Sequence, residues 1–158
     1  MNRGGIEATR KQIAVLIVVV IIIATIVAGL SAVQAVNQHT MRDHLDAVYS
    51  TVNVPGSLQL KDKHFNGRSF WDDSPGISKN MVYTYAPTSS GLTINQAREA
   101  IAGALTSAGF SLDSQPDPSP ISFSAHGNDV TASVTITGQN DSNDGNAPVQ
   151  SVQVQVYE

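Results

Sequence analysis

Residues Ile13 to Leu30, IAVLIVVVIIIATIVAGL, run for eighteen positions without a charged side chain. At about 1.5 Å rise per residue, a hydrocarbon core about 30 Å thick takes roughly 20 apolar residues, and Gln12 to Ala35 supplies that length without crossing a charge. The segment therefore reads as a transmembrane helix, with the lipid bilayer as its partner through Ile13 to Leu30.

Arg3, Arg10 and Lys11 precede the apolar run, and no Lys or Arg follows it before Arg42. Positive-inside bias then sets the N-terminus in the cytoplasm and the rest of the chain outside. A cleaved signal peptide shares the basic start, and Val33-Gln34-Ala35 offers a small-residue cleavage site. Signal h-regions, however, run to about 7 to 15 residues, and this run is longer. The expected organisation is a cytoplasmic tail over residues 1–11, a signal anchor over 12–36 and an extracytoplasmic α+β domain over 37–158. The expected localisation is single-pass in the cell membrane.

Composition narrows the chemistry open to the exported part. Of the chain's nine Lys and Arg, six lie beyond Asn37, and of its thirteen Asp and Glu, twelve do, so this part is acidic by formal charge. An acidic surface repels nucleic acid. The chain has no cysteine, which excludes disulfides, thiol chemistry, a lipid-modified cysteine anchor and cysteine-ligated zinc.

Local patterns supply the expected elements. Met41, Leu45, Val48 and Val52 recur at helical spacing, and no Pro or Gly lies between Leu30 and Pro55, so the apolar helix is expected to continue outward until Pro55-Gly56. Ser57 to Lys63 and Asn80 to Ala86 alternate as strands. Thr93 and Gln96 stand in the capping-box relation ahead of an apolar stripe that includes Ile94, Ala97, Ile101 and Leu105, with Gly109 as the C-terminal cap.

After the Pro-rich stretch Gln115 to Pro120, three period-two segments follow, led by Ile121, Val130 and Val152. Gly127-Asn128 serves as the hairpin turn between the first two, and Gly138 to Pro148 joins the last two. One apolar and one polar face per strand predicts an antiparallel sheet of about five strands with helices on one face, and Thr131, Ser133, Thr135 and Thr137 toward water.

Few residues nominate themselves for chemistry. Phe70, Trp71, Asp72 and Asp73 sit in a turn-rich segment between two strands, and aromatic rings beside carboxylates are what a glycan-recognition patch uses; these four are the candidate ligand-binding residues. Glycoside hydrolysis needs carboxyl groups about 5 to 10 Å apart across a cleft, which adjacent aspartates do not provide. His39 and Asp43, at i and i+4, with His44 and Asp46 nearby, supply too few ligands for a catalytic zinc. Asn140-Asp141-Ser142-Asn143-Asp144-Gly145 imitates a calcium loop, yet Ser151 stands where a bidentate Glu belongs. No nucleophile elbow or phosphate loop is present.

In outline, a long apolar helix leading into an α+β head resembles type IV pilins and pseudopilins. Those proteins carry Glu at the fifth position of an uninterrupted apolar run after a Gly cleavage site. Here Gly5 is followed by Ile6-Glu7-Ala8-Thr9-Arg10-Lys11, so the family is not assigned. The function expected is therefore a membrane-anchored binding domain, non-catalytic and without metal or cofactor, for another membrane protein or an envelope polymer. Two alternatives accompany it. A structural or assembly subunit would expose an apolar patch of more than a few hundred Å², or leave Val149 to Tyr157 as an open edge for strand addition. An envelope hydrolase would bring His64 or His126 together with Asp72, Asp73 or Asp129.

Overall fold

The computed structural model describes residues 3–67, 79–113, 121–127 and 129–158, with side chains from Leu16 onward. The chain divides into two compact units, Met1–His39 and Thr40–Glu158.

Helix α1, Arg3–Tyr49, contributes to both units. In the first it is long and apolar enough to cross a membrane. Its large side chains from Leu16 to Val36 are exposed along the helix; Ile22, for example, is 52% exposed. None of the described apolar span is buried, and a helix apolar on every side is suited to lipid and not to water. The two hydroxyls within it are satisfied internally, Thr25 Oγ1 donating to the Ile21 carbonyl and Ser31 Oγ to that of Val27, each at 2.9 Å.

In the second unit the same helix supplies Leu45 and Tyr49 to the core. It ends at Tyr49, before the expected Pro55-Gly56 stop, in a tighter turn where the Val52 N–H donates to the Tyr49 carbonyl. Val52 stays buried in this turn, so the apolar stripe was read correctly while the last helical turn was not.

Six strands follow, β1 Leu58–Asn66, β2 Asn80–Pro87, β3 Ser111–Leu112, β4 Ser122–Gly127, β5 Val130–Gly138 and β6 Val149–Tyr157, with helix α2, Ile94–Ser107, between β2 and β3. They form one antiparallel sheet in the order β1-β2-β6-β5-β4-β3. Six strands replace the expected five, because β3 is a two-residue strand too short for any alternation to reveal. The larger correction concerns β6. It lies between β2 and β5, so the Val149 to Tyr157 edge is closed to strand addition.

Register places one face inward. Met81, Val156, Ala132 and Ala125 form one row across four strands, and Tyr83, Val154, Val134 and Phe123 the next. Ile94, Ala97, Ile101 and Leu105 of α2, with Leu45 and Tyr49 of α1, complete this core. A shift in β1 between Leu60 and Asp62 changes which side chains face inward. Without it Asp62 and His64 would follow Leu58 and Leu60 onto the core side; with it Lys63 and Phe65 do.

Helix α2 opens as its sequence predicts. Thr93 Oγ1 accepts from the Gln96 N–H and the Gln96 side chain accepts from the Thr93 N–H. The next two orphan donors are met from outside: the Ile94 N–H donates to the Ala147 carbonyl at 3.1 Å and the Asn95 N–H to that of Gly145 at 2.9 Å. The β5–β6 loop that imitates a calcium site is thus the second half of a helix cap. At the other end Gly109 takes φ 92°, and the Phe110 N–H returns to the Leu105 carbonyl.

Two glycines sit where an added Cβ would crowd neighbouring backbone. Gly127 stays in strand β4 and pairs with Val130, so it is not the turn residue expected, and Asp129 takes φ 64°. A Cβ on Gly127 would meet Phe110 Cα at 3.1 Å. At Gly138 a Cβ would collide with the Ser142 carbonyl oxygen and approach Ile94 Cδ1 to 3.0 Å. Gly138→Ala is expected to cost about 1–3 kcal/mol, the range for overpacking, read as a lowered urea midpoint; an unchanged midpoint would show that the loop yields freely.

Candidate functional site

The four residues expected to bind ligand, Phe70, Trp71, Asp72 and Asp73, lie outside the described residues. The strands that flank them are described. Asn66 ends β1 and Asn80 begins β2; they face each other in register, and Asn66 Nδ2 donates to Asn80 Oδ1 at 3.0 Å.

That pair opens a row of polar side chains that crosses the whole sheet on the face opposite the core: Asn66, Asn80, Tyr157, Thr131, His126 and Ser111. Two further rows lie parallel to it. One runs His64, Val82, Gln155, Ser133, Ser124 and the other Asp62, Thr84, Gln153, Thr135, Ser122. Period-two alternation forces this segregation, and both helices lend their apolar residues to the other face. Thr131, Ser133, Gln153, Gln155 and Tyr157 are half-buried and Thr135 is exposed; Val82, the apolar member, is buried. The three rows contain hydroxyls, amides and imidazoles, a single carboxylate at Asp62, and no Lys, Arg or Glu.

His126 has side-chain partners at both ring nitrogens. Its Nε2 lies 3.1 Å from Asp113 Oδ1 and its Nδ1 2.8 Å from Thr131 Oγ1. The hydrolase alternative looked to Asp129, and it is Asp113 that His126 engages. Carboxylate, imidazole and hydroxyl in that order can raise a hydroxyl's nucleophilicity. Here the His126 and Asp113 side chains are each about half exposed, so water competes for every bond and the low dielectric that gives such a relay its force is absent. The arrangement fixes side-chain orientation. His64 similarly pairs with Asp62, at 2.7 Å.

A second polar cluster sits where α1 meets β1 and β2. Lys63 Nζ and the Tyr83 hydroxyl, the latter at 2.8 Å, both donate to Asp46 Oδ1, while the Tyr85 hydroxyl donates to that of Tyr49 at 3.2 Å. The Tyr49 and Tyr83 rings pack with centroids 4.1 Å apart. Burial, then the Asp46 carboxylate, pushes the Tyr83 phenol well above its usual range; burial also raises Tyr85, against the opposing effect of its bond to Tyr49. This cluster faces the core and has a structural use: it ties the end of α1 to the sheet.

Lys63 and Asp46 are each more than a third exposed, which puts their ion pair in the class worth at most about 1 kcal/mol. Asp46→Asn is accordingly expected to lower stability by less than about 1 kcal/mol in low salt and by still less in high salt. Urea melts at the two ionic strengths check this, and a loss several times larger would mean that the carboxylate carries the junction.

Among the described residues no three His, Asp or Glu side chains are grouped so as to hold a metal ion. His39 and Asp43 lie on α1, and His44 Nε2 stands 3.8 Å from Glu158 Oε1. Comparison with protein-family models, curated proteins and solved structures finds no match. Within the calcium-like loop, Asp144 Oδ1 accepts from the Asn146 N–H at 3.0 Å and Ser142 Oγ from the Asp144 N–H at 3.3 Å, so these oxygens close turns of the loop itself.

Sequence reasoning missed the linkage of Asp113, His126 and Thr131. Thr131 was recoverable, since it stands opposite His126 once the hairpin turn is shifted by one residue. Asp113 was not, because nothing in Ser111–Leu112 announces a strand.

Proposed function

We propose that this chain is a single-pass membrane protein with its N-terminus in the cytoplasm, and that its C-terminal unit, outside the cell membrane, works by binding and not by catalysis. The observation that carries this reading is the polar face of the sheet: three rows, mostly of hydroxyl and amide side chains, on the side away from both helices. A rigid sheet presents such groups at fixed spacing, which lowers the ordering cost of binding. Support for orientation comes from Arg3, Arg10 and Lys11 ahead of the apolar run. Support for a retained anchor comes from Ala35, which sits inside a helix that continues to Tyr49.

Protease added to intact cells or spheroplasts is expected to degrade the Thr40–Glu158 unit, and envelope material is expected to be retained by the full-length protein in nanodiscs. Protection of that unit until the membrane is breached would reverse the orientation and remove the envelope as the setting. Retention that is unaffected by Ser133→Lys, a charge placed at the centre of the polar face, would remove the face as the binding surface.

A further inference from the structure

The ligand class can be read from the same polar face, and the inference rests on its being the binding surface. We propose that it takes a neutral, extended, β-1,4-linked pyranose chain, laid across the strands over Tyr157, Thr131 and His126.

Charge makes the first selection. The sole carboxylate in the three rows, Asp62, is engaged by His64, and Asp113 beside them is engaged by His126. A cationic polymer therefore meets no unpaired acid among them. An anionic polymer meets no Lys or Arg in these rows, on a chain whose formal charge is −4. Uncharged hydroxyl and amide groups complement an uncharged polyol.

Spacing makes the second. Tyr157, Thr131 and His126 are direct partners on three adjacent strands, β6, β5 and β4. Strands lie about 4.8 Å apart, close to the advance per residue of an extended β-1,4-linked pyranose chain, so successive sugars meet successive strands. Neighbouring strands rotate by about 20°, which confines the match to a few sugars and favours a short stretch of a longer chain.

The row is also ordered before ligand arrives. Asp113 at Nε2 of His126 selects the tautomer with its proton there, so the Thr131 hydroxyl donates to Nδ1 and keeps its oxygen lone pairs for a sugar hydroxyl. Tyr157, half-buried beside it, offers a ring for the apolar side of a pyranose.

The test titrates full-length protein in phosphatidylcholine nanodiscs with a soluble β-1,4-linked N-acetylglucosamine oligomer, followed by calorimetry. Its deacetylated, cationic counterpart and an α-1,4-linked glucose oligomer are run alongside. Saturable binding of the neutral β-linked oligomer is expected. Affinity should fall about tenfold or more for Tyr157→Ala and Ser133→Lys, and by a similar factor for the other two sugars; circular dichroism and urea midpoints confirm that both variants are folded. Equal binding of the α-linked or cationic oligomer overturns the proposal, as does an affinity unmoved by Ser133→Lys. No binding of the β-linked oligomer, together with Ser133→Lys-sensitive retention of other envelope material, overturns the sugar class and leaves the face as a binding surface. Retention insensitive to Ser133→Lys overturns both.

Discussion

Replacing Leu45 by alanine is expected to destabilise the C-terminal unit by about 2–5 kcal/mol, the cost of a cavity at a fully buried leucine. Leu45 is 0% exposed and belongs to the same core as Ile101, Leu105 and Val154. On a total stability of about 5–15 kcal/mol this is a large fraction, and urea melts of the detergent-solubilised chain would measure it. The same contact predicts where the chain can be cut. A fragment starting at Asn37 keeps Leu45 and Tyr49 and is expected to fold, whereas one starting at Asn53 exposes the sheet they cover and is expected to aggregate. Cooperative, wild-type-like unfolding of the shorter fragment would mean that the end of α1 is dispensable.

The second large effect is alkaline unfolding. Tyr49, Tyr83 and Tyr85 are 3%, 4% and 5% exposed, and burial raises all three phenols above their ordinary value near 10. The folded state therefore keeps three protons that the unfolded chain releases. The stability this represents is fully present below pH 10 and is lost as pH climbs from there toward the folded values. Each phenol contributes a slope of about 1.4 kcal/mol per pH unit, so the three together remove about 4 kcal/mol per unit.

Over two pH units that is comparable to the stability of an ordinary domain, and cooperative unfolding is expected between pH 10 and 12. Phenolate absorbance and circular dichroism should change together, and Tyr85→Phe should lower the slope by about a third. Ionisation of these phenols near pH 10 in a chain that stays folded would contradict the burial.

Much of this architecture could be read from residues, and the failures share a cause. Thr93 and Gln96 announced α2 because capping is decided within four residues. The alternation of Val152, Val154 and Val156 announced a strand with one buried face. What a strand neighbours is a different question, decided by side chains distant in sequence, and there the alternative of an open edge at β6 fails, because β6 is central.

The shift in β1 shows the same limit on a smaller scale. Leu58 and Leu60 set a phase that holds for two residues and then slips, and only the pairing of Lys63 with Tyr83 reveals the slip. The polar face was foreseen as solvent-facing through Thr131 and its neighbours. Its continuity across six strands was not, because a row exists only once strand order is known.

The central place of β6 has a consequence for how the molecule is made. β1 and β2 form one hairpin and β4 and β5 another, and the sheet order gives them no common border except through β6. Until that strand is available, the nascent protein holds two separate ribbons, each with an apolar side and an unsatisfied backbone edge, beside a helix long and apolar enough to enter lipid. Assembly thus waits on a single late insertion, and any molecule interrupted before it is a ready substrate for proteases and chaperones.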